Sequence, residues 1–255
     1  MRKDRKQYIF AIKELTGREI KRKYARSRLG IMWSILNPLL TMTVMSLIFT
    51  TIFKRSIENF PIYYLTGIII WTLFSTATNS AMTSLVDNRT LLIKVKLLKK
   101  TFVLSRIYTS IINFGYSLIA YALMLAVFRV KINFSMIFLP TDVVLILLFS
   151  TGVGYILSIA YVFFADIKYL YGVLLQIWMY MSAIFYPYES LTPVMKMVVG
   201  NNPVYIAIAI ARECVMEGTI PKDEMWIKLT VWSFASIILG KIVFCVKENT
   251  IMQKL

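Results

Sequence analysis

Residues 143–164 read VVLILLFSTGVGYILSIAYVFF, and this run decides the fold class of the chain. Its 22 residues include no Asp, Glu, Lys or Arg. About 20 consecutive apolar residues let a helix cross about 30 Å of hydrocarbon, so the run predicts a transmembrane helix. Five similar runs flank it and together predict an all-α membrane protein with six transmembrane helices. The predicted spans are residues 29–53, 61–82, 107–128, 143–164, 169–186 and 229–245.

The composition of the whole chain agrees with a membrane location. Of its 255 residues, 58% are hydrophobic and 16% are charged, and the mean hydropathy is +0.67. Soluble domains are nearer half apolar and a quarter charged. The formal charge of +16 would suggest a nucleic-acid partner in a soluble protein. Here, however, the basic residues cluster beside the apolar runs, where they meet anionic headgroups, and we expect no nucleic acid.

The amino-terminal segment, residues 1–28, is polar and basic, with apolar side chains at roughly helical spacing. It predicts an amphipathic interface helix that lies in the headgroup plane; a plain basic tail that only sets topology is the alternative. With six spans, one side of the membrane carries 20 Lys and Arg and the other carries eight. Both termini, including the tail at 246–255, are therefore predicted to be cytoplasmic. We expect one transmembrane domain over residues 1–255, with its six helices within 29–245.

Two regions depart from plain apolar spans. The second span, residues 61–82, contains several Thr and Ser and Asn79, which favours a helix that faces protein or a water-filled cavity. Residues 187–228 contain two apolar runs, 194–199 and 204–211, each too short to cross a membrane and each flanked by Pro or Gly. They predict two short helices that dip into the membrane and return, or lie on its surface. An ordinary loop outside the membrane is the alternative.

The residue types needed for most catalytic chemistry are missing from the predicted spans. The chain has no histidine, and none of the six spans contains an Asp or Glu. Its cysteines, Cys214 and Cys245, share no motif, and no phosphate-binding loop is present. We therefore predict no catalytic residue and no metal site. If ATP drives transport, ATP and Mg²⁺ are expected on a separate chain.

Aromatic side chains are dense in the second and fifth spans. The candidates for a substrate channel are Trp71, Phe74, Trp178 and Tyr180. Sugar rings stack their C–H faces on aromatic rings, so a carbohydrate channel would use such residues. Trp178 and Tyr180 are predicted near the middle of the fifth span, where anchoring at the membrane interface does not explain them. Core packing is an equally good interpretation of each of them.

The predicted cytoplasmic segment at residues 87–100, DNRTLLIKVKLLKK, is more apolar than a short loop needs to be. It suits a short helix that lies across the membrane face and docks into a groove of a partner protein. An interfacial extension of the third span is the alternative. The residues that we single out for a partner contact are Asp87, Asn88, Leu92, Lys94 and Lys96.

Several blocks, in order along the chain, resemble one transporter family. Residues 18–40, REIKRKYARSRLGIMWSILNPLL, resemble its amino-terminal signature: a basic helix with a Tyr, then Leu-Gly, a Trp and Asn-Pro. Residues 88–96, 165–167, 184–187, 202–203 and 212–213 resemble its later motifs. The family is that of the permease subunits of type 2 ABC exporters for polysaccharides and polyol phosphates. Two positions depart from it: Ala165 stands where an Arg is frequent, and Leu97-Leu98 where Phe-Pro is frequent.

The resemblance implies a half-transporter. Two permeases would form the channel, and two separate ATP-binding subunits would dock beneath them, with residues 86–99 as the coupling helix and 8–28 as the interface helix. The implied substrate is an O-antigen, capsule or teichoic acid polymer on undecaprenyl diphosphate. The side chains placed to attract that diphosphate are Lys21, Arg22, Lys23, Arg26 and Arg28. Binding of lipid headgroups without substrate selectivity is the alternative role for these cations.

Two other functions compete with polymer export. The first is a type 2 ABC permease for a drug, a peptide or a lipid. The aromatic fifth span and the block at residues 29–38 argue against it. The second is a membrane-embedded glycan or lipid enzyme. The lack of acids and histidines inside the spans counts against an enzyme.

Overall fold

The computed structural model describes residues 2–25, 27–51, 57–95 and 97–254 and confirms an all-α membrane protein. Its α-helices are α1 Arg2–Tyr24, α2 Met32–Thr51, α3 Phe60–Asp87, α4 Arg89–Lys94, α5 Lys100–Val127, α6 Leu139–Phe163, α7 Ile167–Tyr180, α8 Pro193–Val199, α9 Pro203–Arg212 and α10 Asp223–Lys254. Within the described residues, five helices are long and apolar enough to cross a membrane: α2, α3, α5, α6 with its preceding 3-10 turn, and α10. The bent pair formed by α8 and α9, with a 92° angle, would make a sixth.

The centre of the bundle is built from α3, α6 and α10. Gly152 of α6 and Gly240 of α10 let the two backbones touch, because a Cβ at Gly152 would lie 2.2 Å from the Ser236 carbonyl carbon. The hydroxyl of Ser236 donates to the Phe149 carbonyl at 3.0 Å, and that of Ser233 donates to the Leu145 carbonyl at 2.8 Å. Small residues and serine hydroxyls at a helix crossing are a common way to pack helices in lipid.

In contrast, α2 lies at the periphery. It begins at Met32 rather than at the predicted Leu29, because Gly30 adopts a positive φ of 51° and closes a turn in which its N–H donates to Ser27 Oγ at 3.0 Å. Pro38 lies inside the helix, and Thr41 Oγ1 donates to the Asn37 carbonyl at 2.9 Å. Few of its side chains are fully buried, although the helix contacts α3 and α5.

The predicted fifth span is too long at its carboxyl end. Helix α7 has 14 residues and ends at Tyr180, not at residue 186, and Ala183 follows with a positive φ of 46°. Side chains from α9 and its N-cap bind the backbone that leaves the helix. Asn202 Nδ2 donates to the Met181 carbonyl at 3.0 Å, and Arg212 Nη1 donates to the Ala183 carbonyl at 2.9 Å. These bonds satisfy carbonyls that the end of a helix leaves unpaired, so the chain turns here.

The two short helices predicted between residues 187 and 228 are present as α8 and α9. Every residue of α9 is buried, and the helix packs against α3, α6 and α10. A buried helix is not an ordinary exposed loop, so the structure disfavours that alternative. That the two helices dip into the membrane stays a prediction.

Helix α1 packs on α5 through the buried residues Ala11, Leu15 and Thr16, and Thr16 Oγ1 donates to the Ser105 carbonyl at 3.2 Å. Burial raises the pKa of the Tyr8 phenol, which stays neutral. At the same end of the bundle, Lys99 Nζ donates to the Glu248 carbonyl near the end of α10. We call this end, with α1 and α4, the α1 end, and the opposite end, with the carboxyl end of α9, the α9 end.

Candidate substrate groove and coupling corner

A groove of about 1050 Å³ opens between α1, α2, α3 and α5. One wall is a polar stripe on α3 whose residues recur at helical spacing. The stripe consists of Thr72, Ser75, Thr76, Asn79, Ser80 and Thr83. The hydroxyl content of this span predicted a helix that faces protein or a water-filled cavity, and in the structure this face of α3 lines the groove.

The stripe presents hydrogen-bonding groups to the groove. Thr76 Oγ1 donates to the Thr72 carbonyl at 2.5 Å, and Thr83 Oγ1 donates to Asp87 Oδ2 at 2.8 Å. A hydroxyl whose hydrogen is used inside the helix keeps a lone pair for an outside donor. The amide of Asn79, exposed in the groove, can both donate and accept. Such a wall suits a ligand that is rich in hydroxyl groups.

The carboxyl end of α1 supplies positive charge to the same groove. Arg22 and Lys23 line it, and Lys23 Nζ donates to Asn113 Oδ1 at 3.2 Å. Lys21 and Arg28 are exposed nearby in sequence but are not part of the groove wall. Arg26 lies outside the described residues. Two of the five cations predicted to meet a diphosphate thus face the cavity.

An ion cluster closes the groove where α1, α3 and α5 meet. Arg106 Nη1 of α5 lies 2.6 Å from Glu19 Oε2 of α1, and Arg106 Nη2 lies 2.9 Å from Asp87 Oδ2 of α3. Glu19 and Arg106 both line the groove. The sequence did not indicate this pair, because its partners lie 87 positions apart and Arg106 belongs to none of the motifs.

The aromatic candidates do not form a single channel wall. Trp71 lines the groove, whereas Phe74 is fully buried. The rings of Phe74 and Trp178 pack edge to face with centroids 5.0 Å apart, and Trp178 Nε1 donates to Asn202 Oδ1 at 2.8 Å. Tyr180, by contrast, is 61% exposed. Because α7 ends at Tyr180, neither ring lies in the middle of a span as predicted.

Helix α4 forms within the segment predicted to contact a partner. Asp87 and Lys94 are exposed there, and Lys96 lies outside the described residues. Asn88 and Leu92 are buried instead, so they hold the helix in place and do not form its outer surface. Asn88 Nδ2 donates to the Ser84 carbonyl at 2.8 Å, and its Oδ1 accepts a bond from Arg18.

A second cavity, of about 860 Å³, opens at the α9 end. Glu189, Glu213 and Lys222 are among its charged residues, and Tyr188 and Tyr205 stack in its wall with ring centroids 5.0 Å apart. Among the residues that the structure describes, no three His, Cys, Asp or Glu side chains are grouped closely enough to hold a metal ion.

Comparison with known proteins identifies the family of the chain. The chain is 27% identical to the O-antigen export system permease protein RfbA of Myxococcus xanthus over 239 residues, 91% of this chain and 92% of that protein. It is 23% identical to RfbA of Klebsiella pneumoniae over 88% of this chain and 86% of that protein. With the polysialic acid transport protein KpsM of Escherichia coli the identity is 24%, over 94% and 95% of the two chains. The sequence pattern described as ABC-2 type transporter matches residues 11–216. The chain therefore belongs to the ABC-2 type transporter family and is a multi-pass transmembrane channel subunit.

Proposed function

We propose that this chain forms the channel of an ATP-driven exporter in a bacterial inner membrane. Its cargo is a polysaccharide or polyol-phosphate polymer linked to undecaprenyl diphosphate. The chain acts as a single transmembrane domain, pairs with a second copy, and binds two ATP-binding cassette subunits that carry ATP and Mg²⁺. The purified chain by itself hydrolyses no ATP.

The observation that supports this cargo most directly is the groove. Its hydroxyl and amide wall on α3 begins beside Arg22 and Lys23. A glycan needs hydrogen-bonding partners along its length, whereas its lipid diphosphate needs cations near the membrane surface. One continuous cavity offers both. The names of the relatives, O-antigen export and polysialic acid transport, support the same class of cargo.

The orientation follows from the charge count. The α1 end carries most of the Lys and Arg that flank the spans, so we place it in the cytoplasm, with the amino-terminal helix at the headgroup level. The groove then opens to the leaflet in which a lipid-linked polymer is completed. The α9 end, with α8 and α9, faces outward.

The exposed apolar faces of α2 and α7 are the proposed surfaces for the second copy of the chain. Two side chains on α2 and two on α7 are each more than half exposed: Leu40, Val44, Val173 and Ile177. Pairing two copies along such faces would close each open groove into a channel. In that dimer, Tyr180 and Trp71 would meet the sugar, while Phe74 and Trp178 would support the wall behind Trp71.

Helix α4 is the proposed contact with the ATP-binding subunit. Its exposed side chains Ile93 and Lys94 offer an apolar and a charged group to a groove on that subunit. Asp87 lies at the corner where α3 leads into α4. Movement of this corner would pass between the ATP-binding subunit and the groove.

The test combines a deletion strain with groove variants. Deletion should abolish surface polymer and leave lipid-linked polymer inside the cell. Complementation with Thr76→Leu plus Asn79→Leu should lower export about thirtyfold at normal protein abundance, since two hydrogen bonds of about 1 kcal/mol each are lost. Thr141→Leu, the same change at an exposed site outside the groove, is the control and should export normally. Unchanged surface polymer in the deletion strain would refute the proposed function.

A further inference from the structure

Arg106 has an unused donor in the wall of the groove. Its two terminal nitrogens bind Glu19 and Asp87 at 2.6 and 2.9 Å, but its Nε is buried without a hydrogen-bond partner. Glu19 Oε1 is likewise buried and accepts no hydrogen bond. A guanidinium offers five donors in a fixed planar fork, which matches the oxygens of a phosphate group. Arg106 therefore keeps one donor, its Nε–H, for a further acceptor oxygen, whereas Glu19 Oε1, which lies 3.7 Å from Arg18 Nη2, could only accept.

The two carboxylates that bind Arg106, those of Glu19 and Asp87, differ in solvent exposure. The side chain of Glu19 is 12% exposed and that of Arg106 is 13% exposed, whereas that of Asp87 is 43% exposed. Water and salt screen the Asp87 pair, and a carboxylate that leaves it can be solvated at once. Asp87 also accepts a bond from Thr83 Oγ1 at 2.8 Å, which remains available without Arg106. Of the two partners, Asp87 is thus the one that an incoming anion can displace.

Release of Asp87 from Arg106 would affect the corner where α3 leads into α4. Asp87 is the last residue of α3, and Asn88 is the N-cap of α4. The first amide hydrogen bonds of α4 depend on that cap, because Leu91 and Leu92 donate to the Asn88 carbonyl at 3.0 and 2.9 Å. Arg106 ties the corner to α5 and to α1 through Glu19. The Arg106–Asp87 ion pair joins this corner to the groove wall, so binding in the groove can change the conformation of the corner.

We propose that Arg106 is a switch residue that passes the arrival of a phosphate group in the groove to α4. In the empty groove Arg106 forms an ion pair with Asp87. A bound phosphate binds the guanidinium instead, and the ion pair with Asp87 breaks. The corner between α3 and α4 then becomes more mobile. The inference rests on the proposed function, because the phosphate is that of a lipid-linked substrate. Arg106 acts as a positioning residue for α4 and as an anion ligand.

The test uses the whole transporter, with its ATP-binding subunits, in lipid nanodiscs. Three probes separate charge from lipid: undecaprenyl diphosphate, undecaprenol, and inorganic pyrophosphate. Three measurements are made on each sample: lipid binding, ATPase rate, and amide hydrogen exchange of residues 88–95. In the unmodified chain, undecaprenyl diphosphate should accelerate both the exchange of residues 88–95 and ATP hydrolysis, whereas undecaprenol should change neither.

The variants separate the switch from a structural role. Asp87→Asn should bind the lipid normally, show fast exchange at 88–95 without it, and lose the further response. Arg106→Gln should bind the lipid about tenfold more weakly, because a charged donor is lost, and should also show no response. Arg106→Lys keeps the charge but cannot span both carboxylates, so it should resemble Asp87→Asn. Glu224→Gln breaks another exposed carboxylate pair, with Lys228 at 2.6 Å on α10, and should behave like the unmodified chain.

Each outcome decides between the two proposals. If Asp87→Asn and Arg106→Lys bind the lipid and keep the full response of residues 88–95, the switch is wrong while the proposed function stands. If the unmodified chain does not bind undecaprenyl diphosphate, the proposed function fails and the switch fails with it. A response to pyrophosphate alone that is lost in Asp87→Asn supports the switch and assigns the trigger to a free phosphate.

Discussion

One arginine holds each end of the bundle, and the two differ in what they bind. At the α9 end, Arg212 donates to three backbone carbonyls, those of Tyr63, Ala183 and Ile184, and its guanidinium lies 3.4 Å from the centroid of the Tyr63 ring. At the α1 end, Arg106 binds two carboxylates and leaves its Nε without a partner. A backbone carbonyl is held in place by the chain on both sides of it, whereas a carboxylate side chain can rotate into water. The hydrogen bonds of Arg212 at the α9 end are therefore fixed, whereas the Arg106–Asp87 pair at the α1 end can exchange partners.

The fixed arrangement needs no buried acidic partner. The carbonyls that follow the carboxyl end of α7 present partial negative charge, and a cation placed there is stabilised by it. Arg212 comes from α9, so it joins two helices that are not neighbours in sequence. We therefore expect the α9 end to determine stability and the α1 end to determine regulation.

The largest effect should follow from Arg212→Leu. It removes the Arg212 bonds to three carbonyls, of which that of Ala183 keeps only a 3.4 Å bond from the Tyr63 hydroxyl, and lost bonds to buried groups cost about 1–3 kcal/mol each, so most of the protein should fail to fold. The measurement is the yield of monodisperse protein after detergent extraction. Arg212→Lys offers a compact ammonium in place of the planar fork and should recover only part of that yield. Normal yield of Arg212→Leu would show that the α9 end is not the fixed one.

The next effect separates two aromatic residues of α7. Trp178→Ala removes a ring packed on Phe74 and Phe149 and should cost about 3–5 kcal/mol, which appears as lost protein. Tyr180→Ala removes an exposed ring and should leave abundance normal while slowing export, since each aromatic contact with a sugar is worth about 1 kcal/mol. Abundance and surface polymer are measured together. Equal losses of abundance in both variants would contradict the difference in burial.

A smaller effect is expected for Gly218→Ala at the α9 end. Gly218 has a φ of 68°, and a Cβ there would lie 2.4 Å from Asn133 Nδ2. The strained conformation alone should lower stability by about 1–2 kcal/mol, measured as a lower melting temperature in detergent. Gly172→Ala in α7 is the control, because no atom lies within 4 Å of its added Cβ and its φ is ordinary. It should leave the melting temperature unchanged or slightly raised.

The smallest effect on stability is expected for Asp87→Asn at the α1 end. The carboxylate is 43% exposed, and pairs of this kind contribute about 0–1 kcal/mol, less at high salt. The melting temperature should fall by a degree or two at low salt. At high salt it should equal that of the unmodified chain. A loss as large as that of Arg212→Leu would mean that both ends are fixed and would remove the contrast between the two arginines.

Much of the fold could be predicted from single runs of residues. Five of the six predicted spans correspond to long apolar helices, and the two short helices after the fifth are present. The end of the fifth span could not be predicted, because Asn202 and Arg212 that turn the chain there come from 20 to 30 positions further on. Of the site, the groove stripe and two cations could be predicted, whereas the Glu19–Arg106 pair could not.

The sequence by itself determined that the chain lies in lipid, since several uncharged runs are each long enough to cross a bilayer, and it showed that the second span is too polar to face lipid. Only the tertiary structure decided which side chains share that cavity. Leu92 and Phe74 turned inward because the faces around them are covered by other helices. Arg106 met Glu19 and Asp87 because α1, α3 and α5 come together there. Helical periodicity fixes the face on which a residue lies, and only packing between distant segments fixes what that face meets.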